Sequence, residues 1–116
     1  MDIIKGESFS IDAVVYDKWT GETSTSTLAN LTGATVKAYF KVLVSDSDAA
    51  ALLTKTGTIT DVLNGGASVQ VLASDTINWT YAQVWYQVVA KLADGTFRFG
   101  QSTRLDVKPS VLKSLF

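Results

Sequence analysis

The sequence predicts an all-β protein, built as a two-layer antiparallel sandwich of about seven strands. Three observations predict it. Short stretches alternate apolar and polar residues with a period of two, glycine-containing turns separate them about every eight to twelve residues, and no stretch has the periodicity of a long helix. A closed barrel is the alternative arrangement of such strands.

The chain has 116 residues, of which 47% are hydrophobic and 18% are charged. This length corresponds to one domain that buries roughly two thirds of its unfolded surface. Folding therefore needs neither a metal nor a disulfide. We expect the sandwich to occupy residues 1–109 and a short C-terminal apolar tail to occupy residues 110–116.

The clearest predicted strand is the stretch 31–44, LTGATVKAYFKVLV. It starts with a turn at Thr32-Gly33 and then alternates for ten residues. β-Branched and aromatic residues with a period of two are typical of a strand with one face in a core. The predicted inward face consists of Val36, Ala38, Phe40, Val42 and Val44.

Further strands are predicted along the rest of the chain. Asn64-Gly65-Gly66 and Asp94-Gly95 are tight-turn sequences, because glycine and asparagine tolerate a positive φ. Proline cannot donate to a ladder, so Pro109 ends the last strand. The predicted strands are 8–16, 55–62 with an interruption at Gly57, 67–72, 81–92, 96–99 and 103–108.

The segment 17–30 is predicted to be a loop, because it is rich in serine and threonine and contains Gly21. Trp19 lies in this loop. A tryptophan in a polar loop is either a lid folded over the edge of the core or an exposed anchor for a partner. We predict the lid and keep the anchor as a partner-binding hypothesis.

Two shorter segments are predicted to be helical turns or irregular structure. Ser47 or Asp48 is expected to cap one helical turn formed by the alanines that follow. Asp46 and Asp48 also form a D-x-D sequence, but the glycine and glutamate of a calcium loop are missing, so the cap is favoured. Residues 73–78 are expected to form a 3₁₀ turn or irregular structure.

The tail 110–116 ends in apolar residues, whereas chain termini are usually polar. If it forms a short helix capped by Ser110, its apolar side chains share one side. Such a side packs on its own domain or on a neighbour, and we favour the neighbour. The partner-binding candidates are thus Trp19 and the tail residues Val111, Leu112, Leu115 and Phe116.

Charge and composition exclude several function classes. The net charge is −1, from ten basic and eleven acidic residues. No basic face for nucleic acid is recognisable, and no apolar run approaches the length of a membrane span. The N-terminus lacks the features of a signal peptide, so synthesis in a cytoplasm is expected.

The sequence contains no cysteine and no histidine. Thiol nucleophiles, Cys/His zinc sites and Ser-His-Asp triads therefore cannot occur. The carboxylates fall mostly at predicted turns or on outward strand positions, where solvation explains them. We accordingly predict no enzymatic activity, no catalytic residue, no cofactor and no metal.

Carbohydrate binding is the alternative function. Sugar-binding modules on β-sandwiches use exposed aromatic residues as stacking platforms. Tyr81 and Trp85 are four positions apart on one predicted strand face, and Tyr39 would join them if the strands are neighbours. The competing interpretation, which we favour, is that these residues cover a second sheet face or an interface, since interfaces are also rich in tryptophan and tyrosine.

Two short motifs carry a family resemblance. Lys5-Gly6-Glu7-Ser8-Phe9 is followed by Leu31-Thr32-Gly33-Ala34-Thr35-Val36, a glycine-containing hairpin and Asp94-Gly95. This order resembles the immunoglobulin-like modules of tailed-phage structural proteins, in particular the N-terminal domain of baseplate upper proteins. Their opening is K-G-D-S/T-F, so Glu7 replaces an aspartate, and their L-T-G-A-T-V is unchanged here.

The resemblance implies an immunoglobulin-like sandwich that works as a structural protein of a phage virion. The sequence stops at Phe116, where the baseplate proteins continue into further domains, so the resemblance suggests a module standing alone. Its expected partners are other virion proteins. A homo-oligomer within a symmetric assembly is also expected. Tail or baseplate is favoured over capsid decoration, and neither nucleic acid nor a membrane is an expected partner.

Overall fold

Two β-sheets face each other across one apolar core. The computed structural model describes residues 2–18, 20–22 and 26–110. Within them the chain forms eleven strands, one 3₁₀ turn (Asp48–Ala50) and one α-helical turn, α1 (Ala73–Thr76). The strands are β1 (Asp2–Ile4), β2 (Phe9–Val14), β3 (Tyr16–Lys18), β4 (Thr27–Leu28), β5 (Thr35–Lys41), β6 (Leu53–Thr56), β7 (Thr58–Asp61), β8 (Gly66–Val71), β9 (Gln83–Lys91), β10 (Phe97–Phe99) and β11 (Thr103–Lys108).

The larger sheet is assembled around β9. Along one edge of β9 runs β5, in register from Thr35 opposite Lys91 to Lys41 opposite Trp85. The other edge is shared by β10 and β11, which pair with different parts of β9. The sheet continues through β6 beyond β5, through β1 beyond β11, and through β3 and β4 beyond β10.

The smaller sheet has the order β2-β8-β7 and is antiparallel throughout. Its residues Ala67, Val69 and Val71 face inward and are buried. They join one core cluster with the inward residues of the larger sheet. The predicted antiparallel β-sandwich is therefore confirmed, although β1 and β11 pair in parallel.

Among the described residues, four more strands form than the predicted seven. Two of the four are β1 and β4, and the other two arise because two continuous stretches change sheets. The first stretch leaves β2 and enters β3 at Val15, which is fully buried. The second changes sheets between β6 and β7 at Gly57. A Cβ on Gly57 would lie 3.0 Å from a methyl of Val69, so glycine allows the two layers to approach at this point.

The predicted strand 31–44 is correct in its centre and too long at its end. Val36, Ala38 and Phe40 are buried, and the phenylalanine ring packs at 5.9 Å from that of Trp79. The strand ends at Lys41, however, and Val44 is exposed. The alternation continues past the point where the chain turns away from the sheet.

Other predicted element boundaries also differ from those in the structure. The predicted strand 81–92 begins at Gln83 and ends at Lys91, and residues 73–78 contain one turn of α-helix instead of a 3₁₀ turn. The predicted loop 17–30 contains β4, which pairs back on β3. The last strand, Thr103–Lys108, is confirmed at both ends.

The motifs that carry the phage resemblance form part of the scaffold. Leu31 is fully buried, and its amide donates to the carbonyl oxygen of Val62 at 2.7 Å. Gly33 has a φ of +70°, and the turn before it is closed by the side-chain oxygen of Asn30, which accepts from the amide and hydroxyl of Thr32. These residues set the direction of β5.

No helix among the described residues is long and apolar enough to cross a membrane.

Candidate functional site

The outer face of the larger sheet exposes aromatic side chains. Phe97 and Phe99, at alternate positions of β10, are 53% and 50% exposed. Single exposed apolar residues are common on protein surfaces, but two phenylalanines on one strand face beside further aromatic residues form a patch. This patch is the candidate functional site.

The inward and outward residues of β10 are the reverse of the usual pattern. Arg98 lies opposite Ala90, which is fully buried, so the arginine is on the core side of the sheet, since directly opposed residues share a face. Its Nε donates to Asp17 Oδ1 at 2.9 Å, at the edge beside β3. The charged residue therefore faces inward and the two phenylalanines face solvent, against the usual pattern.

Strand register brings further aromatic side chains to the same place. Phe99 lies opposite Val89, and on the other edge of β9 Tyr39 lies opposite Gln87 and Lys41 opposite Trp85. The outward residues of three strands thus enclose a cleft of about 250 Å³, which we call the aromatic cleft. Its aromatic and aliphatic lining consists of Tyr39, Val44, Trp85, Tyr86, Val89, Phe97 and Phe99.

A lysine anchors one rim of the aromatic cleft. The ammonium of Lys41 donates to the carbonyl oxygen of Asp46 at 2.8 Å and to Asp48 Oδ1 at 2.7 Å. The Lys41 side chain is only 16% exposed, and its nitrogen lies 5.9 Å from the centre of the Tyr39 ring. This rim is therefore held in place by an ion pair whose lysine is largely covered.

The D-x-D sequence closes the turn after β5. Asp46 Oδ2 accepts from the amide of Leu43, and Asp48 binds Lys41. The predicted helical turn is present as a 3₁₀ turn, but the side chain of its N-cap residue, Ser47, makes no capping hydrogen bond. No group of three or more acidic, cysteine or histidine side chains able to hold a metal occurs within the described ranges.

A second depression adjoins the aromatic cleft and shares Gln87, Phe99 and Ser102 with it. Gln87 Nε2 donates to the carbonyl oxygen of Gly100 at 2.9 Å, so this amide is already engaged inside the protein. The two depressions therefore adjoin each other at these shared residues.

The turn between β9 and β10 fixes the position of Phe97. Asp94 Oδ1 accepts from the hydroxyl of Thr96 at 2.6 Å and from its amide at 3.0 Å. Both hydrogen bonds lower the pKa of Asp94 below its ordinary value, and the bond from the hydroxyl has the larger effect. A carboxylate that accepts two local bonds stiffens the turn, and the register of β10 follows from it.

The structure separates the two residues of the predicted sugar-stacking pair. Trp85 and Tyr39 both line the aromatic cleft. Tyr81 precedes β9 and lines a different depression, with Lys5, Trp79 and Pro109. The aromatic residue beside Trp85 in the cleft is therefore Tyr39 and not Tyr81.

The predicted partner-binding residues Trp19, Val111, Leu112, Leu115 and Phe116 lie outside the described residues. Phe97 and Phe99 are the site residues that the sequence interpretation missed. Their alternation with Arg98 was visible in the sequence, but it is equally consistent with an inward aromatic face. Only the register with Ala90 decides between the two directions.

The chain was compared with known proteins. No protein-family model matches it, and no curated protein matches it. The likeness to phage modules therefore depends on the two motifs quoted from the sequence.

Proposed function

We propose that this chain is a structural protein of a tailed-bacteriophage virion, a non-enzymatic immunoglobulin-like module that docks onto other virion proteins. Tail or baseplate is favoured over capsid decoration, on the resemblance of the motifs alone. The docking surface in this proposal is the aromatic cleft. Its place of action is the virion, after synthesis in the host cytoplasm.

The outward orientation of two phenylalanines on β10 is the observation that supports docking. Phe97 and Phe99 face solvent although an inward phenylalanine would add to the core. Sequences break the binary pattern mainly at functional sites, where stability is given up for another purpose. Aromatic residues are also the side chains most enriched in the buried centre of protein interfaces.

The chemistry of the cleft favours a polypeptide partner. Its lining is mostly apolar, and three of its polar side chains, Lys41, Asp48 and Gln87, already bond to groups of the protein. Burial of the two phenylalanines under a partner removes apolar surface from water at roughly 25 cal/mol per Å². A cleft with this lining suits the apolar side chains of a polypeptide partner.

The proposal is tested on particles released from cells that carry the gene. We expect the chain to co-purify with the particles and to be detected by mass spectrometry and by gold-labelled antibody. Label at the tail end supports the tail assignment, whereas label over the capsid surface supports decoration. Particles that lack the chain would overturn the proposed function.

The docking surface is tested by complementing a gene deletion with variants. Phe97→Ser combined with Phe99→Ser removes the apolar walls and should abolish incorporation into particles. Leu63→Ser is the matched control, because Leu63 is 69% exposed in the turn between β7 and β8, away from the cleft. Equal incorporation of both variants would show that the aromatic cleft is not the docking surface.

Carbohydrate binding is the second candidate function. The specific observation that favours it is the placement of Tyr39 and Trp85 on neighbouring strands of one cleft. A glycan that stacks on them should change the tryptophan fluorescence of the wild type but not of Trp85→Ala. The internal engagement of Lys41 and Gln87 ranks this candidate second, because sugar recognition needs free hydrogen-bonding groups.

A further inference from the structure

The aromatic cleft has an apolar occupant available within the chain itself. Residues 111–116 have the sequence VLKSLF, with four apolar side chains in six residues. The cleft is lined by five aromatic side chains and two valines. We propose that the aromatic cleft of one copy receives residues 111–116 of a second copy, an inference that rests on the proposed function because it takes this cleft as the docking surface.

The direction of β11 separates the segment from its own cleft. Asp106 lies opposite Gln83, and Phe99 lies opposite Val89, so six positions of β9 separate these two levels. Lys108 lies two positions further on, beside Ile4 of β1. The strand thus points away from the phenylalanines and ends about eight positions, or about 27 Å, from the level of Phe99.

The length of the segment makes binding to its own cleft incomplete. After Lys108, a reversal of the chain uses about four residues. The four residues that remain before position 116 span at most about 14 Å. They can approach Trp85 at the near end of the cleft, but they fall short of Phe97 and Phe99 at the far end. A second copy has no such restriction.

The geometry of such a contact is head to tail. The donated segment and the receiving cleft are different surfaces, so the interface is heterologous, and repetition produces a closed ring or an open filament. Each copy uses both surfaces once. A module repeated in this way would suit a symmetric particle, where a small subunit is arranged around an axis.

Two variants separate the two surfaces. The cleft variant carries Phe97→Ser and Phe99→Ser and keeps its segment. The segment variant carries Leu112→Ser and Leu115→Ser and keeps its cleft. Both changes replace exposed or terminal apolar residues, and far-ultraviolet circular dichroism with thermal unfolding checks that each variant folds as the wild type does.

The experiment is a complementation by mixing, measured by sedimentation velocity. We expect the full-length wild type to form concentration-dependent oligomers, and each variant alone to require at least about tenfold higher concentration to associate. A one-to-one mixture should form dimers and stop there, because only one intact segment and one intact cleft can meet. Cross-linking with mass spectrometry should join Lys113 of the cleft variant to the segment variant.

Three results would overturn the inference. The first is a wild type that is a monomer at all concentrations, the second is a mixture that contains no dimer, and the third is loss of association by only one of the two variants. The last result would show that the cleft or the segment has a different occupant, such as another virion protein or a glycan. If the chain is detected in particles but the mixture forms no dimer, the inference is wrong and the proposed function stands. If the mixture forms dimers but the chain is not detected in particles, only the proposed function is contradicted.

Discussion

The amide of Gly6 donates a hydrogen bond of 2.9 Å to the hydroxyl oxygen of Thr76, 70 positions later in the chain. The threonine side chain is fully buried, and one residue further Ile77 packs against the same glycine. Close by, the hydroxyl of Ser8 accepts from the amide of Ala73 at 3.0 Å. The first motif of the phage resemblance thus fastens the start of the chain to α1.

Gly6→Ala should destabilise the protein more than an alanine at another left-handed glycine. Gly6 has a φ of +86°, and a Cβ there would lie 2.6 Å from Cδ1 of Ile77. Gly95, with a φ of +90° and no neighbour within 4 Å of such a Cβ, is the control for the backbone penalty alone. We expect a loss of about 1 kcal/mol for Gly95→Ala and about 2–3 kcal/mol for Gly6→Ala, by urea unfolding.

Thr76→Val should lower the free energy of unfolding by about 1–2 kcal/mol. Valine has nearly the shape of threonine but leaves the Gly6 amide without its acceptor in a partly buried place. Thr76→Ser is the matched control, because it keeps the hydroxyl and loses only a methyl. If valine is tolerated better than serine, packing outweighs this hydrogen bond at the position.

The two faces of the larger sheet should respond differently to removal of a phenylalanine. Phe40 is fully buried, with the rings of Trp79 and Tyr86 each 5.9 Å from its own, so Phe40→Ala should cost about 3–5 kcal/mol. Phe97→Ala should change stability by less than about 0.5 kcal/mol. A large loss for Phe97→Ala, measured by thermal unfolding, would mean that its ring is part of the core.

Thr96→Val should raise the pKa of Asp94 toward its ordinary value, because the hydroxyl bond is the largest cause of the lowering. The amide of Thr96 still donates, so part of the lowering should persist. A carboxyl with a lowered pKa stabilises the fold above its unfolded pKa, and this contribution disappears as the pH falls through the folded value. A carbon-detected NMR titration of Asp94 in both proteins measures the shift, and identical titration curves would contradict the assignment to Thr96.

The sequence predicted the sandwich because alternation along a strand is a local property. Ala67, Val69 and Val71 show it, and so do Leu105 and the centre of the stretch 31–44. Turn sequences such as Asp94-Gly95 are local as well, since they need a positive φ at one residue. These features follow from residue chemistry over a few positions.

Other features depend on contacts between distant parts of the chain. β1 forms because β11 is beside it, 104 positions later. The end of β5 at Lys41 depends on the bonds of that lysine to the turn at residues 46–48. The partner of β1 lies far outside a window of ten residues, so the sequence interpretation assigned no strand to Asp2–Ile4. The partners of Lys41 are only five and seven positions away, but the apolar alternation continues past the turn, and the predicted strand was therefore too long.

The sequence by itself determined which residues can alternate, which can turn, and which types of chemistry have no side chain to perform them. Only the tertiary structure decided which face of each strand is the outer one. The alternation of Phe97, Arg98 and Phe99 is the same whichever way β10 is turned, and its pairing with β9 fixes the direction by placing Arg98 opposite the buried Ala90. The aromatic cleft exists because that register turns two phenylalanines toward solvent beside Trp85 and Tyr39.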